Sequence, residues 1–152
     1  MCGIAGILSP CKPVLESSIQ KMTDAIIHRG PDGAGFWINE NKDVGLGHRR
    51  LSIIDLSNAG HQPMHYLNRY TISFNGEIYN YLELRQQLLS FGYKFSSQSD
   101  TEVILAAYDK YGEECLSLFD GMFAFAIWDS QEKNLFLARD RFGEKPLFFA
   151  KH

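Results

Sequence analysis

Short apolar runs separated by turn residues are the first regular pattern in this chain, and they predict β-strands. Apolar runs bounded by Gly, Pro, Asn or Asp are typical of buried strands. The strands predicted in this way are Ile4–Leu8, Phe36–Ile38, Val44–His48, Tyr70–Phe74, Met122–Trp128 and Leu135–Arg139, with Leu147–Ala150 as a further candidate. Residues 39–41 predict a hairpin between the second and third strands, and Asn75-Gly76 predicts a turn that ends the fourth.

Three stretches with helical spacing of apolar residues predict helices. The first extends from Val14 to Ile26, with Ser17 or Ser18 as its N-terminal cap. A second extends from about Tyr79 to Leu89, and a third follows the capping-box pattern Ser99-x-x-Glu102. Two adjacent helices between groups of strands do not fit the alternation of a doubly wound fold. The order predicts an α+β domain in which helices cover sheets.

The composition places the chain among ordinary globular domains. Its 152 residues correspond to one domain, and 45% hydrophobic with 22% charged residues exclude an intrinsically disordered chain. A formal net charge of -3 is not the basic surplus typical of nucleic-acid binding. No apolar run approaches the roughly 20 residues of a membrane helix. With three cysteines and no secretion signal, we expect a cytoplasmic protein that binds neither nucleic acid nor membrane.

Cys2 is the candidate catalytic residue with the most informative position. Removal of Met1, which a small second residue favours, would leave a cysteine with both a thiol and a free α-amine. That amine has an ordinary pKa of about 8 and can therefore serve as the base for its own thiol. The alternative is a small buried residue near the terminus, which is also the expected role of Cys11 and Cys115.

Two further pairs of residues offer a binding site, and each has a structural alternative. Asn75 and Gly76 can present an amide side chain and an unhindered N–H at one point, as an oxyanion hole requires, or form a simple turn. Arg50 can pair with a substrate α-carboxylate, and Asp100 can pair with an α-ammonium group. Alternatively, Asp100 is a helix cap and Arg50 is a solvated surface charge.

Seven segments of the chain together resemble a known family. They are Met1–Gly6, His28–Gly33, Gly47–Asp55, Phe74–Asn80, Ser99–Glu102, Phe119–Asp129 and Arg139–Leu147. In this order they resemble the glutaminase domain of class II glutamine amidotransferases, most closely that of glutamine-hydrolysing asparagine synthetases. Cys2-Gly3-Ile4 is shared by class II enzymes in general. The segments Arg29–Asp32, Asn75–Asn80 and Asp140–Gly143 resemble the asparagine synthetase branch specifically.

The resemblance implies an N-terminal-nucleophile hydrolase fold, which is an αββα sandwich of two antiparallel sheets between helix layers. It implies that Cys2 attacks glutamine to form a thioester, with Asn75 and Gly76 as the oxyanion hole. Arg50 would hold the α-carboxylate of glutamine, while Glu77 and Asp100 would hold its α-ammonium group. The implied glutamine-binding residues are Arg50, Leu51, Ser52, Ile53, Ile54, Asn75, Gly76, Glu77 and Asp100.

The resemblance also implies an acceptor for the ammonia, namely a synthetase domain or chain in which ATP and Mg²⁺ serve the conversion of aspartate to asparagine. The Ser-Gly-Gly-x-Asp-Ser pyrophosphate loop of that domain does not occur in the sequence. We therefore expect one glutamine amidotransferase type 2 domain over residues 1–152, truncated at its C-terminus, so that its last strands can be missing. We expect no synthetase domain, and no cofactor or metal of its own.

Two alternative functions stay open, and so does the oligomeric state. A sibling amidotransferase would supply ammonia to another acceptor, such as a sugar or a cell-wall precursor. A non-catalytic fragment would only bind a partner. The partners implied by the main hypothesis are L-glutamine and the ammonia-accepting synthetase domain, with a homodimer left open.

Overall fold

Two antiparallel β-sheets face each other in the computed structural model, which describes residues 2–51 and 60–151. The three-stranded sheet has the order β1-β3-β2 and consists of β1 (Gly3–Leu8), β2 (Gly33–Ile38) and β3 (Val44–Arg50). The four-stranded sheet has sequential order and consists of β4 (Met64–Tyr66), β5 (Tyr70–Ile78), β6 (Gly121–Asp129) and β7 (Asn134–Arg139). The predicted hairpin between β2 and β3 is confirmed.

Helices cover the outer face of each sheet. The helix α1 (Glu16–Ala25) packs on the three-stranded sheet. The helix α3 (Asp100–Tyr111) packs on the four-stranded sheet, with α2 (Tyr81–Ser90) beside it. Short 3-10 turns follow α1 at Ile27–Arg29 and α3 at Gly112–Ser117. The order helix, sheet, sheet, helix confirms the predicted αββα sandwich of the α+β class.

The alternating pattern of β3 explains how one strand can lie between a helix and a second sheet. Gly47 lies under α1, where an added Cβ would stand only 2.2 Å from the Thr23 hydroxyl oxygen. Leu46 points the other way and packs with Trp128 between the two sheets. Because side chains alternate along a strand, His48 points inward with Leu46, whereas Arg49 points outward towards α1.

The strand β5 alternates in the same way. Ile72, Phe74 and Ile78 belong to the large apolar core that includes α3. Ser73 faces the opposite sheet, and its hydroxyl donates a hydrogen bond to the Gly47 carbonyl oxygen at 2.8 Å. By alternation, the side chain of Asn75 also faces the three-stranded sheet.

The predicted turn at Asn75-Gly76 is wrong, because β5 continues through it to Ile78. Asn75 pairs with Ala124 and Gly76 with Phe123 of β6. The long apolar strand β6 supplies a pairing partner for every residue of β5, and this ladder outweighs the local turn preference of the dipeptide.

Two smaller predictions are also wrong, and a third is confirmed only in part. Leu147–Ala150 is not a strand, since it pairs with no strand among the described residues, and a strand needs such a partner for its backbone groups. Ser17 and Ser18 do not cap α1, because the cap position is Leu15 and both serines lie within the first turn. The capping box at α3 is half formed. Ser99 accepts from Thr101 N–H at 3.1 Å, but the Glu102 carboxylate binds residues 96 and 97 instead.

No helix within residues 2–51 and 60–151 combines the length and the apolarity needed to cross a membrane.

Candidate active site

A pocket opens where the ends of β1 and β3, the second half of β5 and the start of α3 meet. Residues that are far apart in the sequence come together here. The predicted site residues that line it are Cys2, Arg50, Leu51, Asn75, Gly76, Glu77 and Asp100. The other predicted glutamine-binding residues, Ser52, Ile53 and Ile54, lie outside the described residues.

The thiol of Cys2 lies at the end of β3. The pairing of Gly3 with Arg49 brings the preceding Cys2 next to the last residues of that strand. Cys2 Sγ accepts a hydrogen bond from Leu51 N–H at 3.3 Å. Arg29 Nε donates to the Cys2 carbonyl oxygen at 3.4 Å, which fixes the backbone beside the thiol. The thiol also lies 3.5 Å from the Leu51 carbonyl oxygen, so both backbone groups of Leu51 hold the sulfur at the pocket.

The two adjacent arginines of β3 have different surroundings. Arg49 points towards α1, where its Nε donates to the Thr23 carbonyl oxygen at 3.0 Å and its guanidinium pairs with Asp24. Arg50, on the opposite face of the strand, lines the pocket. The alternation of the strand therefore separates a structural arginine from one that can meet a ligand.

One edge of β5 faces the pocket. Pairing with β4 ends at Ile72, and no strand among the described residues pairs with the following residues on that side. Phe74 N–H donates to Gln62 Oε1 at 2.7 Å, and Ile78 N–H donates to Asp100 Oδ2 at 3.1 Å. Backbone groups of alternate residues point to the same edge of a strand. The N–H of Gly76 therefore points to this edge, between the other two.

Asp100 is the first residue of α3 and is almost fully buried, with 4% of its surface exposed. Burial raises its pKa to about 6, and the nearby Glu77 charge acts in the same direction. Hydrogen bonds from Ile78 and Thr101 N–H only partly offset this effect. Burial deprives the ionised carboxylate of stabilisation by water. A cationic partner would stabilise the charge in place of water, so this carboxylate is suited to bind a cation.

A buried lysine adds a second cation to the pocket. Lys145 is 3% exposed and lines the pocket. It follows a tight loop held by Asp140, whose carboxylate accepts N–H donors from residues 123, 142, 144 and 145. Burial opposes ionisation of Asp140, but these donors outweigh it and keep the pKa below its ordinary value. The pocket thus carries side chains of both charges.

Three residues of the pocket, His48, Gln62 and Lys145, were missed by the sequence analysis. His48 had a detectable signal, since it stands two residues before Arg50 in a predicted strand and therefore faces the same side. Lys145 lies in the family-like segment Arg139–Leu147, but nothing local indicates that it is buried. Gln62 has no signal, because its role depends on where β4 stops.

No group of three or more His, Cys, Asp or Glu side chains in residues 2–51 and 60–151 is arranged to hold a metal ion.

Comparison with known proteins gives the family of the chain. The profile of the family described as "Glutamine amidotransferase domain" matches residues 1–152. Asparagine synthetase [glutamine-hydrolyzing] 1 of Bacillus subtilis is 48% identical over 98% of this chain, which covers 24% of that relative. Amidase chry2 of Gibberella zeae is 40% identical over the whole chain, which again covers 24% of it. The chain therefore spans about a quarter of the length of these curated relatives.

A solved structure supports the fold independently of these relatives. The glutamine phosphoribosylpyrophosphate amidotransferase from B. subtilis, complexed with ADP and GMP, superposes with a TM-score of 0.76. The match covers 92% of this chain and 37% of that one, at 22% sequence identity, so it bears on the fold alone. The whole-chain profile match and the 48% identical relative decide the family: this chain belongs to the glutamine amidotransferase domain family.

Proposed function

We propose that this chain hydrolyses L-glutamine to glutamate and ammonia through a thioester on Cys2. The observation that carries the proposal is the meeting of the Cys2 thiol, the open edge of β5 at Gly76 and the buried Asp100 in one pocket. A nucleophile, an oxyanion site and a charged recognition site are the three parts that attack on a free amino-acid amide requires.

The reaction follows from these parts. Once Met1 is removed, the α-amine of Cys2 takes the thiol proton, and the thiolate attacks the side-chain carbonyl carbon of glutamine. The Asn75 side-chain amide and Gly76 N–H donate to the oxygen that becomes negatively charged. The protonated amine then gives its proton to the leaving nitrogen, which departs as ammonia. Water, deprotonated by the same amine, hydrolyses the thioester to glutamate and free thiol.

Recognition of the substrate uses the two charges of a free α-amino acid. Arg50 lines the pocket together with Cys2 and Leu51 and pairs with the α-carboxylate. Asp100 and Glu77 pair with the α-ammonium group. The raised pKa of Asp100 supports this role, because a buried carboxylate without a cation is poorly solvated. This hydrolysis needs no metal or cofactor, so we expect EDTA to leave it unchanged.

The proposed hydrolysis releases ammonia, and the names of the relatives bear on its acceptor. We propose that the acceptor is a cytoplasmic synthetase domain or chain that uses ATP and Mg²⁺. The 48% identical relative is named a glutamine-hydrolysing asparagine synthetase, which supports asparagine synthesis as the use of the ammonia. The 40% identical relative is named an amidase, which favours a different acceptor or substrate as the second candidate. An assay of asparagine formation distinguishes the two candidates. With its acceptor domain or chain present, the protein should form asparagine from aspartate, ATP and glutamine only under the first candidate.

Covalent labelling tests the nucleophile. The electrophilic glutamine analogue 6-diazo-5-oxo-norleucine should modify the chain once, at Cys2, with loss of glutamine hydrolysis. Intact mass also shows whether Met1 is absent. Cys11 is exposed and is the matched control, so Cys11→Ala should label as the unmodified sequence does. Burial raises the pKa of the Cys115 thiol to about 12, which keeps it unreactive. Labelling at Cys11 or Cys115 alone would refute the assignment of Cys2.

A further inference from the structure

The open edge of β5 presents a structural problem directly beside the proposed oxyanion hole. The strand β4 pairs with β5 only from Tyr70 to Ile72. In this register Gln62 would be the next residue to bond β5, opposite Phe74, but β4 begins only at Met64. The N–H and the carbonyl oxygen of Phe74 point towards this edge and would be left without a strand partner. Buried backbone groups are nearly always paired, so the edge needs partners from elsewhere.

Two buried side chains take the place of the missing strand. Gln62 Oε1 accepts from Phe74 N–H at 2.7 Å, and His48 Nε2 lies 3.1 Å from the Phe74 carbonyl oxygen. A carbonyl oxygen only accepts, so Nε2 carries the proton and donates. Burial lowers the pKa of His48 to about 4, consistent with a neutral ring. Gln62 and His48 are 6% and 1% exposed, respectively. Both edge groups of Phe74, its N–H and its carbonyl oxygen, are therefore held by buried side chains.

Gln62 also connects this edge to the start of α3. Its Nε2 donates to the Thr101 hydroxyl oxygen at 3.3 Å. Thr101 is the second residue of α3 and directly follows Asp100. The single Gln62 amide thus links the strand that carries Asn75 and Gly76 to the helix that carries the ammonium-binding carboxylate.

We propose that Gln62 and His48 are positioning residues that hold the Phe74 peptide groups and thereby set the place of the Asn75 and Gly76 oxyanion donors. This inference rests on the proposed glutamine hydrolysis. Neither residue contacts the reacting atoms in this role. They act through the edge of β5 before Gly76, while Asp100 holds Ile78 after it, and a displacement of about 1 Å in a catalytic group can cost about a hundredfold in rate.

The first test is Gln62→Met, which keeps the length of the side chain but removes both polar groups. Donors that stabilise only the transition state affect kcat rather than substrate binding. We expect kcat for glutamine hydrolysis to fall by about ten- to a hundredfold, with the KM for glutamine changing much less. A merely structural role would instead lower the amount of folded protein without changing kcat per folded molecule.

The matched control is Ser73→Ala on the same strand. Ser73 is buried and donates one hydrogen bond between the sheets, to Gly47, but it does not touch the open edge. We expect Ser73→Ala to reduce stability while keeping kcat near that of the unmodified sequence. If Gln62→Met and Ser73→Ala have the same kcat per folded molecule, the proposal is overturned.

A rescue pair tests His48. In His48→Gln the terminal amide N–H can reach close to the position of Nε2, whereas His48→Leu removes the donor. We expect His48→Gln to keep most of kcat and His48→Leu to lose about tenfold or more. Equal kcat values for the two variants, after correction for folded protein, would contradict the role of the donor.

A measurement that does not depend on activity separates this inference from the proposed function. Hydrogen–deuterium exchange over residues 72–78 should be faster in Gln62→Met than in Ser73→Ala, because Phe74 N–H has lost its acceptor. If the unmodified chain hydrolyses no glutamine, the proposed function fails, and exchange still shows whether the edge is held. If hydrolysis is present but Gln62→Met changes neither exchange nor kcat, the positioning role alone fails.

Discussion

Replacement of Asp100 by asparagine is the sharpest test of how the pocket recognises an amino acid. Asn has almost the same shape as Asp and can still accept the hydrogen bond from Ile78 N–H, but it carries no charge. Loss of one partner in a buried charge pair costs about 2–5 kcal/mol. The affinity for glutamine at neutral pH should therefore fall between about 30-fold and several thousandfold.

The raised pKa of Asp100 adds a dependence on pH. Only the ionised carboxylate attracts the α-ammonium group, so affinity decreases as the pH falls through about 6. A group with this pKa is about 90% ionised at pH 7 and about 10% ionised at pH 5. Glutamine binding should therefore weaken about tenfold between pH 7 and pH 5, and this change should disappear in Asp100→Asn.

The assay is calorimetric titration of glutamine into the Cys2→Ala chain, which cannot turn the substrate over. Several other charged groups face the same pocket, so the comparison must isolate Asp100. His48, with a pKa of about 4, stays neutral across this range. Glu77→Gln in the same background shows how much the second carboxylate contributes. Arg50 and Lys145 are common to all these variants.

Two results would refute this reasoning. The first is binding by Asp100→Asn within about threefold of its parent at pH 7, which would mean that Asp100 carries no recognition charge. The second is a tenfold weakening from pH 7 to pH 5 that persists in Asp100→Asn but is lost in Glu77→Gln. In that case the titrating group is Glu77.

The same substitution should have the opposite effect on the stability of the unliganded chain. The carboxyl pKa is raised from its ordinary value of 3.8 to about 6 in the folded protein. Folding therefore favours the protonated form, and the ionised group opposes folding by about 3 kcal/mol at pH 7, an upper estimate. Stability of the unmodified chain should rise as the pH falls from about 7 towards 4, as far as this group is concerned. Asp100→Asn should remove this contribution and raise the unfolding temperature at pH 7.

Three further substitutions test the remaining parts of the site. Asn75→Ala removes one oxyanion donor and should lower kcat by about a hundred- to a thousandfold with little change in KM; normal turnover would show that Asn75 is only structural. Arg50→Lys should restore little of the glutamine affinity that is lost in Arg50→Ala, because Lys lacks the planar guanidinium group that binds a carboxylate with two hydrogen bonds. Equal KM values for Arg50→Lys and the unmodified chain would contradict this prediction. Gly76→Ala places a Cβ 2.2 Å from the Met122 carbonyl oxygen, so the unfolding temperature should drop clearly. An unchanged unfolding temperature would mean that β5 and β6 can move apart without loss of stability.

The hydrophobic pattern was sufficient for most of the fold. Residues such as Ile72 and Phe125 form buried runs whose period matches a strand, and α1 and α3 have apolar faces that match a helix. The element order predicted an α+β domain in which helices cover sheets, because two consecutive helices between strands do not fit a doubly wound sheet, whereas the αββα layer order was implied by the family resemblance. The wrong strand and turn predictions lie where the presence or absence of a pairing strand determines the local structure. Leu147–Ala150 has the composition of a strand, but no strand of the described residues pairs with it.

The site was predictable only in part, for a physical reason. Cys2, Arg50 and Asp100 carry reactive or charged groups whose possible roles can be read from residue type and position. Gln62 carries an ordinary amide, and its importance comes from a gap in the pairing of β4 with β5. Such a gap is a property of two strands together, and no local pattern in the sequence reveals it.

The dipeptide Asn75-Gly76 carries both a local prediction that is wrong, the turn, and the proposed oxyanion role. In a turn, glycine is selected because it tolerates a positive φ. In β5 the strand is extended, and glycine at position 76 is required for space, since a side chain would meet the backbone of β6. An extended strand directs the Asn75 side chain towards the sheet that carries Cys2, while the following N–H points along the open edge. A two-residue turn would rotate these groups apart, so the proposed oxyanion hole requires that the turn not form.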